Sequence, residues 1–190
     1  MRRGGRSLIP QRRRIFLGCE GESERAYGVR LQQLVDEQHR TIYIDTVLLQ
    51  PGGGDPLALV ECAVVKSGQR SGQRGAYLAQ AILLDRDRLG QAPDRDAQLS
   101  ALAAKHRLKL IWQDTCHEAL LLRHLNDCHD LRPQSSRIAF AELQRRWPDY
   151  QKNAPASVLA SRIDRAAVLR AAAVEDGLRA FLDLIVFGRT

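Results

Sequence analysis

Five acidic residues sit where apolar runs give way to polar chain, and their types and spacing point to metal chemistry. Glu20, Glu22 and Glu24 follow the apolar segment 15–19 (IFLGC), while Asp85 and Asp87 close the segment 77–84. In an extended chain, residues two apart share a face, so Asp85 and Asp87 aim two carboxylates at one point. Further acids converging there repel one another unless a cation is bound. Hard oxygen donors with room for water suit magnesium or manganese. A DxD pair alone is a weak signal, because the ends of strands are polar anyway. A glutamate after the first strand joined to a DxD after a later one is far more specific.

The elements that must position these acids read as an alternation. Residues 15–19 form a short buried strand, and a helix follows to about His39 with Tyr27, Leu31, Leu34 and Val35 at helical spacing. Residues 41–49 are rich in β-branched types and read as a second strand that ends in Pro51-Gly52-Gly53-Gly54. Asp55-Pro56 then supplies an N-cap and a first-turn proline for a helix to about Lys66. The tandem tetrapeptides Ser67-Gly68-Gln69-Arg70 and Ser71-Gly72-Gln73-Arg74 read as a mobile loop. A third strand over 77–84, a helix over about 95–106 and a fourth strand over 108–112 complete β-α-β-α-β-α-β. This order predicts an α/β fold with a mostly parallel sheet of about four strands, helices on both faces and ligands beyond the carboxyl ends of the strands. From Cys116 onward the pattern is helical, broken near Trp147-Pro148 and near Gly177. The expected organisation is a basic arm over 1–14, an α/β core over 15–115 and a helical part over 116–190 packed on that core.

Charge separates the arm from the body. The 190-residue chain carries a net charge of +7. Arg2, Arg3, Arg6, Arg12, Arg13 and Arg14 lie in the first fourteen positions, where no acid occurs, and the rest is nearly neutral. Such an arm either grips phosphate or is a solvated tail. Arg12, Arg13 and Arg14, with Arg70 and Arg74 of the tandem segment, are the candidate nucleic-acid contacts. Cys19, Cys62, Cys116 and Cys128 are scattered without a CxxC pair, which fits reduced thiols. No apolar run is long enough to span a bilayer, so a soluble cytoplasmic protein is expected. Zinc is not expected from Cys116, His117, His124, Cys128 and His129, because the segment between them reads as a helix with an apolar stripe. The triple glycine at 52–54 lacks the ending of a P-loop, although the helix start at Pro56 offers amide N–H groups to a phosphate.

The acid pairing resembles the signature of the TOPRIM domain, and the chain as a whole is similar to the RloB-like family, whose members are encoded beside restriction-modification and phage-defence systems. The match runs through Cys19-Glu20-Gly21-Glu22-Ser23-Glu24, Gly52-Gly53-Gly54-Asp55-Pro56-Leu57, Leu84-Asp85-Arg86-Asp87, residues 116–124 (CHEALLLRH) and Tyr150-Gln151-Lys152. These blocks fall in family order across nearly the whole chain after the arm. The fourth departs from the family pattern in having Asp114-Thr115 ahead of it, and His117 and Ala119 where aromatics are common. The resemblance implies a catalytic Glu20 acting as general acid or base and also touching metal. It implies Mg2+ or Mn2+ held by Asp85 and Asp87, with Glu24 and Glu118 serving a second ion or its water shell. Lys152 is implied to neutralise phosphate charge. The implied function is a metal-dependent nuclease acting on DNA or RNA in anti-phage defence. The alternative is a non-catalytic TOPRIM module that binds nucleic acid or a defence-system partner protein, with oligomerisation open. A topoisomerase or primase would need further domains.

Overall fold

Apolar runs without alternation make strands buried on both faces, and such strands assemble into parallel sheets covered by helices. Ile15, Phe16 and Leu17 are all fully buried although they point alternately to opposite sides. The computed structural model, which describes residues 12–38, 41–49 and 55–187, has four strands, of which the two central ones follow this rule most closely. The four are β1 (Arg13–Cys19), β2 (Ile42–Leu48), β3 (Ala79–Asp85) and β4 (Leu108–Gln113). All pair in parallel, in the order β2-β1-β3-β4. The α/β class expected from the alternation is the observed one.

The chain steps from β1 to β2 on one side, crosses back over β1 to β3, and continues to β4. With right-handed crossovers, that reversal puts the connecting helices on opposite faces. Helix α1 (Glu22–Glu37) packs Tyr27, Leu31, Leu34 and Val35 against Ile15, Leu17, Ile42 and Ile44. Helices α2 (Pro56–Arg74) and α3 (Pro93–Lys105) cover the other face, where Leu59, Val60 and Leu99 meet Phe16, Ile82 and Leu84. The last five helices are α4 (His117–His124), α5 (Ser136–Arg146), α6 (Ala156–Leu159), α7 (Arg165–Val174) and α8 (Asp176–Leu184). They share one continuous apolar cluster with α1 and the sheet. Gly28 lets α1 lie close to the sheet, since a Cβ there would meet Thr46 Cγ2 at 2.5 Å.

Two local expectations are corrected. The tandem tetrapeptides are not a loop: α2 runs on through both to Arg74, and Gly75, at φ +87°, ends it. A four-residue repeat nearly matches the helical period, so equivalent residues stack one turn apart. Tertiary contacts then outweigh the two glycines, because Ser67 is buried and Arg70 pairs with Asp45 at 3.0 Å. The basic arm does not extend to residue 14, because β1 begins at Arg13. The C-terminal break falls at Glu175, near Gly177 as expected, and Gly177 itself lies inside α8, where a Cβ would meet Ile111 Cγ2 at 3.2 Å. The Asp55 cap of α2 is as expected, its carboxylate accepting from the amides of Leu57 and Ala58 at 3.4 and 3.3 Å.

Candidate metal centre

In a parallel sheet whose strand order reverses, the loops leaving the two central strands diverge to opposite faces and open a crevice between them. Here those strands are β1 and β3, with Gly18 opposite Ile82 in the register. Glu20, just after β1, and Asp85, the last residue of β3, therefore stand at this edge. The turn after β3 is tied to the end of β4 by the Arg86 amide, which donates to the carbonyls of Gln113 and Thr115 at 3.1 Å each. That tie brings the first turn of α4, with Glu118, to the same edge.

Four acids surround Asp85. Burial, then the charges of Glu24, Glu20, Asp87 and Glu118, push its carboxyl up to about 9. Asp85 Oδ1 is buried and has no hydrogen-bond partner. A buried acceptor without a donor is costly, which marks it as a group awaiting a partner. Glu20 is half-buried, and its carboxyl also lies above the usual range, through burial first and then through Glu24 and Asp87. The Asp85 amide donates to Glu20 and, with Arg88, pulls the other way. Glu24 and Glu118 are buried, at 6% exposure each. Asp87 is exposed and accepts from the Ser136 hydroxyl at 3.2 Å.

The charges of the other four acids expected as metal ligands are felt at Asp85, but not on equal terms. Glu24 is engaged in capping, its Oε2 accepting from the Gly21 amide at 3.0 Å. Among the described residues, no three Asp, Glu, His or Cys side chains are gathered tightly enough to hold an ion as they stand. The donor set is all oxygen, with one orphaned carboxylate atom at its centre, and it fits a hard divalent cation such as Mg2+ or Mn2+. Burial pushes the nearby Cys116 thiol up to about 12, and His117 Nδ1 lies 2.9 Å from Gln113 Oε1 while its buried Nε2 has no hydrogen-bond partner.

Lys152 is exposed. Its neighbour Asn153 docks on the first turn of α1, where its amide donates to the Ser23 hydroxyl at 3.0 Å. The segment 150–153 therefore borders the acids. Arg12, Arg13 and Arg14 lie elsewhere, at the amino end of β1, about 20 Å along the strand from its carboxyl end. Arg14 is not free for phosphate, because it donates to Asp45 at 2.9 Å, to the Tyr77 hydroxyl at 2.8 Å and to the Gly75 carbonyl at 2.8 Å. Arg12 pairs with Asp36 at 2.7 Å, and both side chains are exposed. Residues 52–54, with their proposed phosphate turn, lie outside the described residues, as do Arg2, Arg3 and Arg6.

Two groups near the acids were not singled out from the sequence for the roles they take. Arg88 lowers the Glu20 carboxyl through space. Burial and the Glu118 charge hold the proton on the buried Tyr150 hydroxyl, while the Ser23 side chain beside it pulls the other way. The adjacency of Arg88 to the DxD run was a usable signal for the first, but nothing local foretold the second. Compared with models of protein families, with curated proteins and with solved structures, the chain finds no match.

Proposed function

We propose that the chain is a divalent-metal-dependent nuclease that hydrolyses phosphodiester bonds of DNA or RNA in the cytoplasm, in bacterial anti-phage defence, as its resemblance to RloB-like TOPRIM proteins implies. The observation that carries the chemical part is the partnerless Asp85 oxygen buried among Glu20, Glu24, Asp87 and Glu118 in the crevice between β1 and β3. Asp85 and Asp87 would hold Mg2+ or Mn2+, with Glu24 and Glu118 ordering its surroundings. A bound ion supplies Lewis-acid stabilisation of the charge that develops on the phosphate.

Hydrolysis needs a water to lose a proton as its oxygen attacks phosphorus, and the leaving oxygen to gain one as the P–O bond breaks. The Glu20 carboxyl, raised above its ordinary range, is tuned toward such proton exchange. Lys152, on the segment that borders the acids, would offset phosphate charge. No helix among the described residues is long and apolar enough to cross a membrane.

The test is cleavage of labelled DNA and RNA with added Mg2+ or Mn2+, alongside Asp85→Asn. Metal-dependent cleavage abolished in the variant is expected. Equal cleavage by both proteins would overturn the catalytic assignment. The second reading, a non-catalytic module that binds nucleic acid or a partner protein, draws on the absence of a closed ligand trio among the described residues. Nucleic-acid binding without cleavage under any divalent ion would select it.

A further inference from the structure

Strand β2 is an edge of the sheet, and edge strands expose backbone groups that recruit further strands unless they are covered. Here side chains do the covering. The Ile44 amide donates to Gln32 Oε1 at 2.5 Å, and Lys66 Nζ donates to the carbonyls of Leu48 and Leu49 at 2.7 and 3.1 Å. An added peptide strand is therefore not the natural occupant of this edge. What borders it instead is a groove of about 410 Å³ lined by Arg25 of α1, Thr46 and Leu48 of β2, and Lys66, Arg70 and Arg74 of α2.

The cations of α2 form one line. Lys66, Arg70 and Arg74 are spaced four residues apart, so they stack on one side of the helix over about 12 Å. Lys66 reaches the carboxyl end of β2, Arg70 contacts Asp45 in mid-strand, and Arg74 also lines a second groove with Arg12 and Arg13 at the amino end of β1. Arg25 stands at the other end, on the first turn of α1 beside Glu22 and Glu24. The line thus joins the base of the arm to the acids of the candidate metal centre.

Its charge is only partly cancelled locally, Arg25 pairing with Glu22 at 2.8 Å. Asp45 is a single carboxylate shared by Arg14 and Arg70, which leaves that cluster with a net positive charge. Lys66 is held by carbonyls, and Arg74 has no carboxylate partner among the described residues. Gln69 and Gln73 line the same groove and add amide hydrogen-bonding groups. No aromatic ring lines it, so it offers contacts to phosphate and sugar and no platform for stacked bases. A single file of cations matches one phosphate backbone, whereas a duplex presents two.

We propose that the groove between α2 and the β2 edge, lined by Arg25, Lys66, Arg70 and Arg74, binds the phosphate backbone of a single nucleic-acid strand and leads it to the acidic centre. This rests on the nuclease reading for its destination, but binding in the groove is separable from cleavage. The experiment measures anisotropy of a labelled single-stranded oligonucleotide in EDTA, with the full chain. Wild type is compared with Gln69→Glu/Gln73→Glu/Arg74→Glu, which alters only groove residues that hold nothing else in place.

The triple variant is expected to bind roughly tenfold or more weakly, and its log-log salt slope should flatten by about 0.7 for each phosphate that the groove no longer neutralises. Arg74→Gln should shift affinity in the same direction by less, and it decides the matter if circular dichroism shows the triple variant unfolded. Unchanged affinity and slope in a folded variant would overturn the proposal. So would a duplex, or polyglutamate, that binds as tightly as the single strand and is released equally by the variant. Loss of cleavage in Asp85→Asn with oligonucleotide binding intact leaves the groove standing. Binding abolished in the groove variant leaves the metal chemistry to be judged by cleavage at saturating substrate.

Discussion

Arg123 and Glu175 form an ion pair of 3.0 Å with side-chain exposures of 0% and 8%. It joins α4, on which Glu118 stands, to the break between α7 and α8. Burial lowers the Arg123 guanidinium and raises the Glu175 carboxyl, so in both partners the loss of water outweighs their attraction. Arg123 Nη2 donates to the Asp114 carbonyl, while its Nε and Nη1 make no well-formed hydrogen bond.

Removing one partner leaves the other charge buried alone. Glu175→Leu is expected to cost about 3–5 kcal/mol in urea unfolding, whereas Arg123→Met/Glu175→Leu recovers most of that loss. If the double variant is no more stable than the single one, the pair is not an isolated unit.

Asp85→Asn should stabilise the protein in the absence of metal. A carboxyl raised from 3.8 to about 9 in the fold binds protons more tightly there than in the unfolded chain. Its ionisation therefore erodes stability as pH rises from about 4 toward 9. The asparagine variant escapes that loss, so its melting temperature should exceed that of wild type increasingly between pH 5 and 9, by about 2–4 °C per kcal/mol. Parallel melting curves across that range would show that Asp85 carries no such strain.

If Asp85 ligates the proposed ion, the same raised carboxyl makes that binding pH-dependent. Ligation must displace the Asp85 proton below about pH 9, so affinity for Mn2+ should rise up to about tenfold per pH unit between pH 7 and 9. Calorimetry in buffers of different ionisation enthalpy should record proton release. Affinity independent of pH would remove Asp85 from the ligand set.

His124 should limit stability on the acid side. Its Nδ1 lies 2.9 Å from the Leu120 carbonyl, which can only accept, so Nδ1 carries the hydrogen and Nε2 accepts from the Tyr27 hydroxyl at 3.0 Å. Burial holds the ring neutral and lowers its proton affinity to about 4. The unfolded chain takes up that proton near pH 6.5, so stability is present above 6.5 and lost as pH falls toward 4. The loss attributable to this ring is about 3 kcal/mol. Between pH 7 and 4.5, His124→Gln should lose correspondingly less stability than wild type, measured by urea unfolding at each pH.

The sequence by itself determined the strands, the first helices and the position of Glu20 and Asp85 at the ends of β1 and β3, because these follow from local pattern. Runs such as Ile15–Leu17 have no polar face to expose, and a chain alternating such runs with helices has few ways to bury them. The reading of Glu20 and Asp85 as neighbours needed only that both follow strands of one parallel sheet. What the tertiary structure alone decided is how each charge is used. Local composition makes Ser67 to Arg74 a loop, yet the carboxylate of Asp45 and the edge of β2 give Arg70 and Lys66 partners that keep it helical. The six arginines at the start are alike in sequence, but β1 commits Arg14 to Asp45 and Tyr77 and leaves Arg13 exposed. Glu24 and Asp85 are both acids after strands, yet one caps a helix while the other keeps an oxygen buried without a donor. Pattern along the chain fixes which residues are buried, whereas the field at a carboxylate depends on charges distant in sequence, which only the strand order brings together.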